Sequence, residues 1–224
     1  MRAAFFDLDG TLCTGHVWKA IAQHHIQHRQ KLASLFAYLA FHLALWPIYR
    51  MGLLSQERFF ISWAKDLAWT LGGLTREEAL KVFRWVVDQC VVPSFRPDIL
   101  EILHRHQTQG HLVVLVSGTF QALLALIGEE LGVGHVVGTR LQVVDARYSG
   151  RIIEPACLGP GKVELLQGFL GASQFDVDLG SSFAYADSIF DVPLLRLVGH
   201  PVAVYPDEGL QAYALRNEWQ ILGG

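Results

Sequence analysis

The sequence predicts an α/β fold, a mostly parallel sheet with helices on both faces, with a helical domain inserted after the first strand. Three observations carry this reading. From Pro97 onward, short apolar runs alternate with segments of helical period, the pattern of a parallel sheet wrapped by helices. Residues 14–94 are helical in pattern throughout, and about 80 residues is too long for an ordinary crossover between strands. Three apolar runs end in polar or acidic residues, and ligands of open parallel sheets bind beyond the carboxyl ends of the strands. The expected core comprises residues 1–13 and 95–224, and the inserted domain residues 14–94.

Ala3-Ala4-Phe5-Phe6 is a short apolar run closed by turn residues, as expected of a strand buried on both faces. Val17 to Leu45 and Gln56 to Leu71 read as helical. Thr75, with Glu78 three residues on, forms a capping box that opens another helix. That helix runs to about Val92, where Pro93 and Pro97 stop it. Asp98 to Gln109 is a helix closed by Gly110. Leu112 to Val116 is a buried strand, and Phe120 to Leu131 a helix. His135 to Ile153 reads as short strands with a hairpin about Ala146 to Gly150. Lys162 to Leu170 is helical, FAYA a strand ending at Asp187, Pro193 to Leu197 helical, VAVY from Val202 a strand, and WQIL a last edge strand.

Composition narrows the function. The 18 basic and 21 acidic residues leave a net charge of −3, and the basic ones are scattered, so no nucleic-acid partner is expected. Cys13, Cys90 and Cys157 are odd in number, far apart and outside any C-x-x-C, which points to reduced thiols in the cytoplasm. The first apolar run is too short for a signal peptide. Ser34 to Leu54 is nearly long enough to span a bilayer, but His42, Pro47 and Arg50 interrupt it. Pro47 predicts a break, so the expectation is a buried helix and then a second element, not a transmembrane span. Peripheral contact of this apolar surface with a membrane or a greasy ligand stays open.

Asp7 and Asp9 follow the first strand, and alternation places them on one side with Leu8 pointing away. Two adjacent carboxylates repel, so a cation or a shared proton must accompany them. The other strands supply Ser117-Gly118-Thr119 and Asp187-Ser188 with Asp191, and Gly159-Pro160-Gly161-Lys162 opens a helix. Carboxylate oxygens suit a hard cation such as Mg²⁺. Ser117 and the amides after it are expected at a helix N-terminus, where an anion binds. A metal, an anion site and a lysine around a carboxylate describe phosphoryl transfer, and a carboxylate can act as the nucleophile.

Asp7-Leu8-Asp9-Gly10-Thr11-Leu12 resembles the first motif, D-x-D-G-T, of the haloacid dehalogenase (HAD) superfamily. Ser117-Gly118-Thr119 resembles its second motif, Lys162 its third, and Asp187 to Asp191 its fourth. The helical insert and the tail from Gly199 are similar to the phosphoserine-phosphatase-like subgroup. The resemblance implies a Rossmann-like core with a cap domain, and Mg²⁺ as cofactor. It implies Asp7 as nucleophile, Asp9 as general acid and base, and Mg²⁺ on Asp7, Asp187 and the Asp9 carbonyl. Ser117, Gly118 and Lys162 would hold phosphoryl oxygens, with Asp191 supporting Lys162 or the metal.

The sequence departs from that subgroup where it grips an amino acid. His16 stands where the subgroup has a glutamate, Ile61 with Arg58 nearby where it has an arginine, and Phe190 where it has an asparagine. Phosphoserine is therefore expected to be a poor substrate. His16, Arg58 and Phe190 are the candidate substrate contacts, with a hinge role for His16 and a surface charge at Arg58 as the plainer readings. Thr11 and Ser188 are read as supporting residues or helix caps. His24, His25 and His28 are read as a solvated face, and Phe36, Tyr38, Phe41, Trp46, Phe59, Phe60 and Trp63 as insert core, with the alternative that some of them line the cleft under the insert. The expected function is a Mg²⁺-dependent phosphatase acting on a small phosphomonoester, an amphipathic one included, in a monomer or homodimer. The alternatives are a phosphotransferase of the same family and a non-catalytic, membrane-associated binding module.

Overall fold

Strand β1 (Ala3–Phe6) consists of four apolar residues with no exposed surface and lies at the centre of the sheet. The computed structural model describes residues 1–53 and 55–223. After β1 come helices α1 (Val17–Gln27), α2 (Leu32–Arg50), α3 (Gln56–Asp66), α4 (Arg76–Val86) and α5 (Pro97–Thr108). The chain then alternates: β2 (Leu112–Phe120), α6 (Gln121–Glu130), β3 (His135–Val144), β4 (Arg147–Ile153), α7 (Pro160–Ala172), β5 (Phe183–Ala186), α8 (Val192–Leu195), β6 (His200–Val204), α9 (Glu208–Arg216) and β7 (Gln220–Leu222).

The strands form one sheet in the order β4-β3-β2-β1-β5-β6-β7, parallel throughout except for the β3–β4 hairpin. Asp145 and Ala146 turn that hairpin with φ of 49° and 62°, the left-handed pair a tight two-residue turn needs. Strand order reverses at β1, with β2 on one side and β5 on the other, so the crevice beyond β1 is the switch point of the sheet.

Alternation along β1 divides the core. Ala4 and Phe6 pack with α5 and α6 through Ile99, Leu103, Leu124 and Ile127, and Leu8 continues that side. Ala3 and Phe5 pack on the other face with Leu166 of α7 and Leu210 of α9. The first of these two cores extends without interruption into the helical segment, taking in Ile21, Leu35, Phe83 and Val86. The segment joins the sheet through paired linkers, with Thr14 N–H donating to Ser94 O at 2.9 Å and Arg96 N–H to Leu12 O at 2.9 Å. It also docks on the hairpin, where Gly73 N–H donates to Tyr148 O and Tyr148 N–H to Leu74 O. Helix α4 starts with the predicted capping box between Thr75 and Glu78.

The structure corrects four sequence expectations here. Val17 to Leu45 is two helices, because Arg29 and Lys31 adopt φ of 51° and 52°. The polar stretch His28–Lys31 offers no apolar residue to anchor a continuous helix, and Lys31 Nζ instead donates to Gly72 O at 2.6 Å. Pro47 does not break α2: it falls in the last turn, and Met51 N–H still reaches Pro47 O at 2.9 Å. Nor is α2 a buried helix. It buries a single stripe, Leu35, Tyr38 and His42, while Phe36 and Leu43 are 60% and 73% exposed. By length and composition α2 could cross a membrane, with 17% of its apolar window buried in the protein; Leu54, at the end of the apolar stretch, lies outside the described residues. His24 and His25 are buried, not solvated, with His24 stacked on His28 at 4.2 Å.

Burial, followed by neighbouring histidines, pushes His24 and His25 down to about 4. Folding therefore expels protons that the unfolded chain binds below pH ~6.5, and this contribution to stability falls as pH drops from ~6.5 to ~4. Replacing His25 by Leu removes one such group. Denaturant titrations at pH 7 and pH 4.5 should show the acid-induced loss of stability shrinking by up to about 2 kcal/mol in His25→Leu.

Candidate active site

Asp7 is held at the switch point by its own backbone, whose N–H donates to Tyr185 O of β5 at 2.9 Å. Its side chain lies on the Phe5 side of the sheet, facing α7. There Lys162 Nζ stands 2.6 Å from Asp7 Oδ1 and 2.6 Å from Asp191 Oδ1, with the lysine side chain 2% exposed. Burial opposes the ammonium's charge, but Asp191 and Asp7 outweigh it and its pKa rises. The start of α7 is shaped to bring the lysine in. Pro160 occupies its first turn, and Gly161 passes so close to Ala156 that a Cβ there would lie 2.1 Å from the carbonyl oxygen.

Asp187 follows β5 and accepts from Thr11 Oγ1 at 3.3 Å. Gly10 crosses over its carboxylate with φ +85°, and a Cβ at that position would sit 2.1 Å from Asp187 Oδ2. Only glycine satisfies both the backbone angle and the contact. Burial first, and then Asp7 and Asp191, raise the Asp187 carboxyl. Carboxylate oxygens of Asp7, Asp187 and Asp191 lie within 4.8 Å of one another. A cluster of hard oxygens fits a small hard cation such as Mg²⁺.

Asp9 is placed differently. Its Oδ1 accepts from Val17 N–H at 3.0 Å, the first amide of α1, so this carboxylate is tied to the N-terminus of the first helix of the segment. Burial and the neighbouring Asp7 nevertheless push it up to about 7. A carboxyl poised near neutrality can give or take a proton.

Ser117 and Gly118 complete the edge, but not as expected. Strand β2 runs on to Phe120 and α6 begins only at Gln121, so these residues close a strand, not a helix N-terminus. The β2–β3 register shift between Val116 and Phe120 marks where the strand leaves its regular pairing. Ser117 Oγ accepts from Thr119 N–H at 3.2 Å.

Asp7, Asp9, Ser117, Gly118, Lys162, Asp187 and Asp191 line one cavity of about 660 Å³ between the sheet edge and the helical segment, and Thr11 is not in its lining. His16, exposed at the start of α1, and Phe190 also line it. Arg58 does not: it is exposed on α3, away from the lining described. Thr11 caps no helix and instead donates to Asp187, whereas Ser188 caps the short turn 189–191 and donates to Asp207 Oδ2 at 3.1 Å. Among the residues read as insert core, Tyr38 and Phe59 are buried, Phe59 also bordering the cavity, whereas Trp46, Phe60 and Trp63 line it and Phe36 and Phe41 are exposed on α2. Sequence reasoning missed Asp207 and Trp18 in the lining. Asp207 carried a signal, as the acidic residue before a helix, and it caps α9 by accepting from Leu210 N–H at 2.7 Å.

Comparison with known proteins gives this geometry its context. Residues 4–196 match the family of haloacid dehalogenase-like hydrolases. Phosphoserine phosphatase SerB1 of Mycobacterium tuberculosis is 30% identical over 98% of this chain and 70% of its own length. A histidinol-phosphatase of Neisseria meningitidis is 29% identical over 98% of this chain and 97% of its own. A crystal structure of a Bordetella pertussis protein of unknown function superposes with a TM-score of 0.83 at 27% identity, covering 99% and 98% of the two chains. The fold, the family match and these phosphatase relatives agree, and the chain belongs to the haloacid dehalogenase-like hydrolases.

Proposed function

We propose that this enzyme is a Mg²⁺-dependent phosphatase that hydrolyses a phosphomonoester through a phosphoryl group carried on Asp7. The observation that carries the reading is the buried contact of Lys162 with Asp7 and Asp191, set among Asp187, Ser117 and Asp9 on one cavity. Helices 14–94 act as a cap, which closes over that cavity and excludes water from it. The relatives' names differ in substrate, phosphoserine for one and histidinol phosphate for another, so they support the reaction and leave the alcohol open. The three unpaired cysteines favour a cytoplasmic setting.

In this mechanism an Asp7 carboxylate oxygen attacks phosphorus while the bond from phosphorus to the alcohol oxygen breaks. Asp9, protonated near neutral pH, gives its proton to the departing alkoxide. Asp9 then takes a proton from water as the water oxygen attacks the phosphoryl group, which frees Asp7 and inorganic phosphate. Lys162, Ser117 and the Gly118 amide hold the phosphoryl oxygens through charge and hydrogen bonds. Asp191 keeps Lys162 in place. Asp7, Asp187 and the Asp9 carbonyl would hold Mg²⁺, which when bound offsets the negative charge shared by carboxylate and phosphate.

Three measurements test this. Asp7→Asn should fold normally and lose at least ~1,000-fold in phosphate release from an aryl phosphate, and EDTA should abolish wild-type turnover until Mg²⁺ is restored. Asp9→Asn should still transfer the phosphoryl group from a nitrophenyl ester, whose leaving group needs no proton. Rapid mixing should then show a burst of about one nitrophenol per enzyme followed by turnover slowed ~100- to 10,000-fold. Absence of a burst would remove the covalent step. Lys162→Met leaves two buried carboxylates unpaired, and urea unfolding should show a loss of about 3–5 kcal/mol together with loss of activity.

A further inference from the structure

We propose that the substrates are phosphomonoesters of apolar alcohols, and that the hydrocarbon part lies against an aromatic wall of the cavity. This rests on the phosphatase reading and names the substrate class of that same site. The wall is continuous. Ring centroids are 6.1 Å apart for Trp63 and Phe59, 5.7 Å for Phe59 and Phe60, and 5.5 Å for Phe60 and Phe190. Phe190 precedes Asp191, whose carboxylate holds Lys162, so the apolar surface begins where the phosphate end of the cavity stops. The wall thus joins α3 of the helical segment to the turn after β5.

Two observations indicate that these rings meet a ligand. Trp46, packed on Phe59 at 5.9 Å, and Phe60 are 45% and 43% exposed although both line the cavity. Two open aromatics, joined through the buried Phe59 on the rim of a cavity of about 660 Å³, describe a small-molecule site with a polar end and an apolar body. Charge points the same way. The ionisable residues that the helical segment contributes to the described lining are His16 and Lys19, both at the start of α1. Neither is a carboxylate, and a hydrocarbon chain laid against this wall gains by leaving water. Each methylene buried is worth up to about fourfold in affinity, the equivalent of about 0.8 kcal/mol.

The test uses n-alkyl phosphates from butyl to dodecyl, held below micelle-forming concentrations, with phosphoserine alongside. Binding is read on Asp7→Asn protein by intrinsic tryptophan fluorescence, since Trp46 and Trp63 line the cavity, and turnover is read on wild type. Affinity and kcat/KM should each rise about twofold or more per added methylene until the wall is covered. Phe60→Ser should flatten that slope and Phe60→Leu should keep most of it. Phe36→Ser, exposed on α2 outside the lining described, should leave it intact. A flat dependence on chain length, or kcat/KM for phosphoserine above that for dodecyl phosphate, would overturn the proposal while leaving the phosphatase reading standing. A slope lost in Phe36→Ser and kept in Phe60→Ser would also overturn it, by moving apolar recognition to the open face of α2. Chain-length-dependent binding without turnover of any phosphate would support the apolar wall and overturn the phosphatase reading.

Discussion

One buried ammonium makes the rest of this site tenable. Lys162 sits between Asp7 and Asp191 at 2.6 Å from each, with almost no exposure to solvent. Without it, the buried carboxylates that follow β1 and β5 would face each other without a counter-charge, at a cost beyond what one hydrogen bond returns. With it, two carboxylates share one positive charge, and Asp187 and Asp9 remain on the same cavity with net negative charge still to be balanced. That residual charge is what a divalent cation would offset.

The sheet is built so that this contact can form. Asp7 lies at the point where strand order reverses, between β2 and β5, so three strands deliver their last residues to one crevice. Alternation along β1 sends Phe5 and Asp7 toward α7 while Phe6 and Leu8 fill the opposite core. Glycines permit the final approach. Gly10 lets the chain cross Asp187, and Gly161 lets α7 start hard against Ala156. Both are geometric requirements of the acidic cluster rather than general loop flexibility.

The helical segment contributes in two ways. Its two linkers are bonded to each other at Thr14 and Ser94, the turn at Gly73 and Leu74 is bonded to Tyr148 of β4, and the segment shares an apolar core with the sheet. Helices α2 and α3 instead carry aromatics that face the cavity, and α2 leaves much of its apolar surface open. The hydrogen bond from Val17 to Asp9 ties the segment to the proposed proton donor, so a shift of α1 would be felt directly at that carboxylate. A fastened base and an open aromatic face are what a selective cover over a reactive site requires.

The sequence by itself determined the sheet, the order of its elements and the acidic edge, because these are written in local terms. Apolar runs of four or five residues closed by Asp, Ser or Gly carry a local signal for buried strands. The capping box at Thr75 and the glycine-proline entry to Lys162 are equally local. Tertiary structure alone decided which apolar residues are core. Phe59 and Phe60 are adjacent and chemically identical, yet one is buried and the other lies open on the cavity. His24 and His25 read as polar but are buried, and Arg58, a candidate contact with a surface charge as its plainer reading, is exposed outside the described lining. The extent of β2 past Ser117 was likewise settled by pairing with β3. Side-chain type records what a residue can do, whereas burial and partners depend on which faces meet across some 180 residues of chain, as Asp7 meets Lys162, Asp187 and Asp191.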